Sequence, residues 1–310
     1  MKHLDFVVIG APKSGTTTLF HLIEDHPELA LPAGKEAPYF SRPDRLAAGW
    51  DAYATEQFGD APTDRRWGTI TPQYFADPAV PARLAEHSPR LRLVALLRNP
   101  IDRTFSYFRM LRREGTETRD FGVALREMIG TAAEDRERPF ARETRAQGYL
   151  VRSEYARCLE RYVEALGPES LLVHFAEELR DDPRSVVRSV LGHLGVDPSY
   201  VPDELGREFH RGGDAQRFPW LVPLLSGVAP VRRAWRRLPE GWRKRLYLLW
   251  DTELNIARDQ SVRLEPRHRR ELRDFFAPDV ARLEAMLGRP APWADFATEL
   301  PSARAGARRG

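Results

Sequence analysis

The sequence predicts an α/β protein in which helices cover both faces of a central, mainly parallel sheet. Two observations support this prediction: short apolar runs recur along the chain, and stretches with helical spacing of apolar residues separate them. Such alternation is typical of βαβ units, whose crossover helices bury both faces of the sheet. The predicted strands span residues 6–9, 67–70, 91–97 and 171–175.

The helical stretches lie in the intervals between these strands and after the last of them. The first predicted helix begins at Thr16 to Thr18 and carries Leu19, Leu22 and Ile23 on one face. The others span residues 80–87, 103–113, 121–131, 153–166, 183–194, 265–276 and 278–287. Because ligands of parallel sheets bind at the carboxyl ends of the strands, we expect the functional residues at that edge.

Composition narrows the class of protein. The 310 residues include a single cysteine, Cys158, so no internal disulfide can form and a reducing compartment is favoured. The first residues lack a signal-peptide pattern, and no apolar run approaches the roughly 18 residues that span a bilayer. We therefore expect a soluble, cytoplasmic protein without stable membrane insertion. Its oligomeric state is left open.

Charge and motif content argue against two kinds of partner. The formal net charge is only +3, and no helix-turn-helix, zinc-finger or aromatic RNA-binding pattern occurs, so we expect no nucleic-acid partner. No group of His, Cys or carboxylate residues has metal-ligand spacing, so we expect no metal.

The loop after the first strand is the most informative segment. The apolar run 6–9 ends at Gly10, a turn of small residues continues to Gly15, and a helix follows. A strand, a tight loop and a helix N-terminus form a phosphate-binding geometry, because backbone N–H groups and the helix dipole point at the anion. The candidate side-chain ligands are a lysine and three hydroxyl groups: Lys13, Ser14, Thr16 and Thr17.

The position of the lysine distinguishes two kinds of phosphate loop. ATP- and GTP-binding loops place Lys after the second Gly, whereas Lys13 here precedes Gly15. This order disfavours a nucleotide kinase or another P-loop NTPase, which remains the main alternative function. An ordinary strand-to-helix turn remains the alternative that involves no ligand.

A second anion site is predicted after the strand 91–97. Arg98 stands at the strand end, Pro100 begins a helix, and Ser106 lies about two turns along it. Arg98 and Ser106 can converge on one phosphate, although Arg98 could instead bond a carbonyl and Ser106 could be an ordinary helix residue. Two anion sites on neighbouring strands suggest a nucleotide with phosphates at both ends of its ribose.

With these two sites the chain resembles the sulfotransferases that use 3′-phosphoadenosine 5′-phosphosulfate (PAPS), specifically the branch of bacterial and heparan sulfate sulfotransferases. Six segments carry the resemblance. They are APKSGTTTL (11–19), LRNPIDRTFSYF (97–108), KEAPYF (35–40), TPQYF (71–75), Gly148-Tyr149-Leu150, and the closing residues 283–287 with Trp293. The resemblance implies a three-layer P-loop-like fold, PAPS as co-substrate and no metal.

The resemblance also implies roles for individual residues. Lys13 would contact the bridging oxygen of the donor, and Glu36 would be the general base toward the acceptor, with an exposed loop Glu paired to Lys35 as the alternative. Tyr149 would touch the 3′-phosphate side, with packing equally possible, and Arg217 would close over the nucleotide. Gly15 belongs to the same cofactor-binding set.

Two departures from the family's motifs weaken the expectation that the acceptor resembles heparan sulfate. Thr69 and Ile70 stand where the family often has Glu-Lys, and Pro38 stands where many relatives have His. The acceptor is left open between a carbohydrate, a lipid-linked glycan and a secondary metabolite. We hypothesise that aromatic residues near the site favour an acceptor with an apolar face; these are Tyr39, Phe40, Tyr74 and Phe75.

The resemblance predicts one domain over residues 1–300. Within it, residues 198–250 would form a loop and helical insertion that covers the nucleotide site, and residues 301–310 a flexible basic tail. The basic, aromatic stretch 231–249 could instead serve a membrane-surface or nucleotide-binding module, although packing against the domain explains its pattern.

Overall fold

The structure, a computed structural model, describes residues 2–32, 34–136, 149–203, 205, 214–216, 256–258 and 263–297. Its centre is a five-stranded sheet in the order β2-β3-β1-β4-β5, and every neighbouring pair is parallel. The strands are β1 (Phe6–Gly10), β2 (Leu29–Ala30), β3 (Arg66–Ile70), β4 (Arg92–Leu97) and β5 (Leu171–Phe175). The predicted α/β class with a parallel sheet is confirmed, and the two-residue β2 was not predicted.

Helices follow the strands in the alternation that the sequence indicates. They are α1 (Thr16–Ile23), α2 (Pro43–Ala48), α3 (Trp50–Phe58), α4 (Val80–His87), α5 (Pro100–Arg113), α6 (Phe121–Asp135), α7 (Tyr155–Leu166), α8 (Ala176–Asp181), α9 (Pro183–Leu194) and α10 (Pro266–Leu287). A 3₁₀ turn, Pro72–Ala76, follows β3, and a short antiparallel pair joins β6 (Asp214–Gln216) to β7 (Ile256–Arg258).

The two faces of the sheet bury two separate hydrophobic clusters. Val7 and Ile9 face the larger cluster, which the helices α3 to α7 and α10 cover. Phe6 and Val8 alternate with them and face the smaller cluster, which α1 and α9 cover. This period-2 alternation produces the three layers, helix on sheet on helix, because both faces of a parallel sheet must be buried.

The prediction of two helices at residues 265–276 and 278–287 is wrong, because α10 runs unbroken from Pro266 to Leu287 with Pro278 inside it. Proline removes one backbone donor, a loss of about 3 kcal/mol or more that packing must outweigh. Phe276 and Val280, on either side of it, are both buried in the core. The carboxylate of Asp279 also accepts hydrogen bonds from the backbone N–H groups of α7 residues Ala156 (3.0 Å) and Arg157 (3.1 Å).

Candidate active site

Three loops meet at the carboxyl edge of the sheet, and two of them carry the predicted anion-binding residues. They follow β1, β3 and β4, and β1 lies between the other two in the sheet. The chain leaves β1 toward β2 on one side, whereas β4 leads to β5 on the other. A ligand crevice is expected where connections diverge in this way.

The backbone of the first loop adopts conformations that suit glycine. Gly10 has φ of 149° and Gly15 has φ of 95°, and the non-glycine Lys13 also has a positive φ, of 69°. A Cβ atom at Gly10 would lie 2.7 Å from Cβ of Phe75 in the turn after β3. The loop is therefore tightly packed at its base, and at its end it leads directly into α1 with Gly15 as N-cap.

The hydroxyl groups of this loop differ in their surroundings. Ser14 is fully buried, and its Oγ has no hydrogen-bond partner of ordinary geometry among the described residues. Burial raises the pKa of Tyr155, and the Ser14 hydroxyl beside it is one of the groups that oppose this shift. Thr16 is buried and Thr17 half-buried in the first turn of α1. The helix N-terminus thus offers hydroxyl groups to an anion.

The loop after β4 lies against the first loop. The guanidinium Nη1 of Arg98 is 3.5 Å from the carbonyl oxygen of Lys13, a long hydrogen bond, and the Tyr155 hydroxyl donates to the Arg98 carbonyl at 2.7 Å. Asn99 caps α5 by accepting from the Ile101 N–H at 3.0 Å. The two predicted anion-binding segments are thus in direct contact.

Lys13 lies at the centre of a group of cations. Burial, followed by the charges of Arg113, Arg98 and Lys35, lowers the pKa of Lys13 from 10.5 to about 8, and Glu114 opposes the shift. A site that disfavours its own positive charge gains electrostatic free energy when an anion binds. Such perturbation is characteristic of functional sites.

Ser106 lies on α5 and is 7 % exposed. Its Oγ has no hydrogen-bond partner within the part of the chain that the structure describes. Our sequence reasoning missed Arg113, which follows Ser106 by seven residues. Because two helical turns bring residues back to one face, the spacing could have indicated this second cation on the Ser106 face.

Glu36 lies on the segment between β2 and α2, and its side chain is 41 % exposed. Lys35 Nζ donates to Glu36 Oε1 at 2.9 Å, and Gln73 Nε2 donates to Glu36 Oε2. Since the charge of Lys35 also lowers the pKa of Lys13, the Lys35–Glu36 pair lies beside the cation group. Gln73 was not singled out from the sequence.

Two further predicted residues remain, Tyr149 and Arg217. Tyr149 is fully buried, and its hydroxyl donates to Glu117 Oε2 at 2.9 Å, which favours its packing alternative. Arg217 lies outside the described residues, as does most of the segment 198–250. Of that segment, β6 lies against α5.

The hypothesis that aromatic residues near the site favour an apolar acceptor is not supported by their positions. Tyr39, Phe40, Tyr74 and Phe75 are at most 7 % exposed. The Tyr74 hydroxyl is also occupied, because it accepts from the backbone N–H of Tyr39 at 2.6 Å and of Phe40 at 3.1 Å. These rings belong to the core beneath the site.

The described residues contain neither a membrane-spanning helix nor a group of metal-ligating side chains. No helix in these ranges combines the length and apolarity needed to cross a membrane. Within the same ranges, no three His, Cys, Asp or Glu residues are grouped so that they could hold a metal ion. The site combines cations, hydroxyl groups and the carboxylates of Glu36 and Glu114, a set of groups that can bind an anionic group and accept a proton from a nucleophile.

Comparison with known proteins connects this geometry to a family. A family model described as "Sulfotransferase domain" matches residues 3–210. The crystal structure of a sulfotransferase from Alicyclobacillus acidocaldarius superposes with a TM-score of 0.65 at 26 % identity, covering 94 % of this chain and 98 % of that one. Its likeness supports the P-loop-like three-layer fold.

Two curated relatives are similar over part of their length. The membrane-associated sulfotransferase kil1 of Dictyostelium discoideum is 34 % identical over 104 residues, 34 % of this chain and 22 % of kil1. The human bifunctional heparan sulfate N-deacetylase/N-sulfotransferase 3 is 28 % identical over 216 residues, 67 % of this chain and 24 % of that protein. The chain therefore spans about a quarter of the length of each of these two relatives. Since the family model covers most of the chain, including all three loops of the site, this protein belongs to the sulfotransferase family.

Proposed function

We propose that the protein moves the sulfuryl group of PAPS to a hydroxyl group of a small-molecule or glycan acceptor. The observation that supports this most is the pair of buried hydroxyl groups of Ser14 and Ser106, whose Oγ atoms have no hydrogen bond of ordinary geometry in the described part of the chain. Each belongs to one of the two predicted anion sites. A buried polar group without a partner costs about 1–3 kcal/mol, and phosphate oxygens would remove that cost.

The residues of the site fit this nucleotide. Lys13, Ser14, Gly15, Thr16 and Thr17 would hold the 5′ end, since the loop backbone and α1 present donors there. Arg98 and Ser106 would hold the 3′-phosphate. Tyr149 and Arg217 stay predictions for the same nucleotide.

Lys13 would act on the donor nucleotide, and Glu36 would act on the acceptor. When bound, PAPS would supply an activated sulfuryl group on a phosphate leaving group. Lys13 would stabilise the negative charge that develops on the bridging oxygen, which a preorganised cation does without reorganisation. Glu36 would accept the proton of the acceptor hydroxyl, and Lys35 and Gln73 would orient its carboxylate. No metal is needed for these roles.

Nucleotide binding is the first test. Calorimetry should show binding of adenosine 3′,5′-bisphosphate, weaker binding of adenosine 5′-monophosphate, and no Mg²⁺-dependent preference for ATP. Ser106→Ala should weaken binding of the bisphosphate but not of the monophosphate, because it acts at the 3′ end. Ser189→Ala, a change in α9 outside the site, is the matched control. Tight binding of ATP with Mg²⁺ and none of the bisphosphate would overturn the proposal.

The general base is tested separately. Glu36→Gln should keep the affinity for the bisphosphate and lower sulfuryl transfer by about 10²–10⁴-fold, the usual contribution of a general base. The measurement is transfer from labelled PAPS to a panel of sugars, glycolipids and aromatic or aliphatic alcohols. Full activity of the variant would exclude Glu36 as base while leaving the donor site unaffected.

A further inference from the structure

Gln73 holds the proposed base from a different part of the chain. It lies in the 3₁₀ turn Pro72–Ala76 after β3, whereas Glu36 lies on the segment before α2. Its Nε2 donates to Glu36 Oε2, while Lys35 holds the other carboxylate oxygen. Both oxygens of Glu36 therefore have a donor, and the one on the Gln73 side is neutral.

The carboxylate also determines which way the Gln73 amide faces. A negatively charged oxygen requires the N–H₂ group and repels the amide oxygen, so the two amide ends cannot be exchanged. The Gln73 Oε1 atom is consequently directed away from Glu36. It is buried and has no hydrogen-bond partner among the described residues.

An amide oxygen can only accept, so whatever fills this position must present an O–H or N–H group. The amide carbon bonds both Oε1 and Nε2, which places such a donor next to the carboxylate that activates the sulfated hydroxyl. Two donor groups of one acceptor molecule on neighbouring carbons meet this requirement. An alcohol with a single hydroxyl leaves the buried oxygen without a partner, which costs binding free energy.

We propose that Gln73 positions Glu36 and, through Oε1, recognises a second donor group on the acceptor. The acceptor class is then a vicinal diol or amino alcohol, as sugars provide, with one hydroxyl sulfated and its neighbour bound to Gln73. This proposal deepens the proposed function and rests on it. It requires only the hydroxyl proton transfer to Glu36 already described and no further reactant.

The test compares acceptor pairs that differ only in the second donor. Labelled PAPS is offered with trans-1,2-cyclohexanediol or cyclohexanol, and with a methyl glycoside or the same glycoside methylated at the neighbouring hydroxyl. The wild-type protein should prefer the member with the second donor by about tenfold or more in kcat/KM, as sites built around a hydrogen bond do. Equal use of both members would overturn the proposal without any variant.

Gln73→Met keeps the length of the side chain and removes both amide functions. It should lower kcat, because Glu36 loses its support, and abolish the preference between paired acceptors, while calorimetry shows unchanged affinity for adenosine 3′,5′-bisphosphate. Gln57→Met is the matched control, since Gln57 Nε2 donates to Glu56 Oε1 at 2.8 Å on α3, outside the site. A Gln73→Met protein that retains the preference would overturn the recognition role. Absence of bisphosphate binding in the wild-type protein would instead overturn the proposed function.

Discussion

At the scale of single residues, the charged form of Lys13 is destabilised in the folded protein, and a bound anion would offset that cost. Its pKa is lowered to about 8 in the folded protein, against 10.5 for an ordinary lysine. As pH rises through 8 the ligand-free site loses its charge, so affinity for adenosine 3′,5′-bisphosphate should fall by about tenfold per pH unit above 8. Calorimetry between pH 7 and 9.5 checks this, and binding near pH 8.5 should take up a proton.

The same shift predicts the stability of the ligand-free protein. The folded state binds fewer protons than the unfolded state between pH 8 and 10.5, so the cost of charged Lys13 is full below pH 8, declines as pH rises from 8 to 10.5 and is absent above 10.5. Lys13→Met should therefore raise the free energy of unfolding at pH 7, by up to about 3 kcal/mol. Lys2→Met is the contrasting variant and should lower the free energy of unfolding, because Lys2 Nζ pairs with Asp5 and donates to the carbonyl oxygens of Thr63 and Arg65. A destabilised Lys13→Met protein would contradict the account.

At the scale of elements, the end of α4 is joined to the N-terminal segment through a histidine that is kept neutral. His87 stacks on His3 with 4.3 Å between ring centroids and packs against Trp50 at 4.2 Å. Its Nε2 accepts from the Leu4 N–H at 3.0 Å, a bond that a protonated ring cannot accept. Burial, followed by the charge of His3, lowers the pKa of His87 from 6.5 to about 4.

Acid should therefore loosen this junction. The unfolded state binds the extra proton between pH 6.5 and 4, so the stability from neutral His87 is full above pH 6.5 and declines as pH falls. His87→Gln, whose amide oxygen can accept from Leu4, should have a smaller loss of unfolding free energy from pH 7 to 4, by about 2–3 kcal/mol. Urea unfolding at several pH values measures it. Parallel pH curves for both proteins would disprove this.

At the scale of the whole molecule, the C-terminal region completes the edge that carries the site. The turn Ala294–Phe296 supplies Asp295, which accepts from Asn99 Nδ2 at 2.7 Å and from Arg269 Nη2 at 2.6 Å. Asn99 in turn caps α5 directly after Arg98. A residue far from the family match, which ends at 210, thus orients the loop of the second anion site.

Asp295→Ala should lower the free energy of unfolding by about 1–3 kcal/mol, because it leaves the partly buried Asn99 amide and Arg269 with one partner fewer. It should also weaken the binding of adenosine 3′,5′-bisphosphate more than that of the 5′-monophosphate. Asp274→Ala is the control, since its ion pair with Arg273 is exposed on both sides and contributes little. Equal effects of the two substitutions would refute this linkage.

The features that could be predicted from the sequence are those that a local residue pattern determines. Four of the five strands and the lysine-before-glycine loop have their own periodicity or spacing, and β4 and α5 bring Arg98 and Ser106 to the expected edge. Contacts between distant segments carry no such signal: Asn99 and Asp295 are 196 positions apart, and Gln73 meets Glu36 only because the sheet aligns their loops. Strand β2 is too short to show alternation.

The close approach of Gly10 and Phe75 has a consequence for protein engineering. A Cβ atom at position 10 would lie 2.7 Å from Cβ of Phe75. The side chains at these two positions therefore cannot change in size independently. A mutant library aimed at new substrates should hold these two positions constant and diversify their outward-facing neighbours. Substitution at either position would displace both the loop after β1, which carries Lys13, and the turn after β3, which carries Gln73.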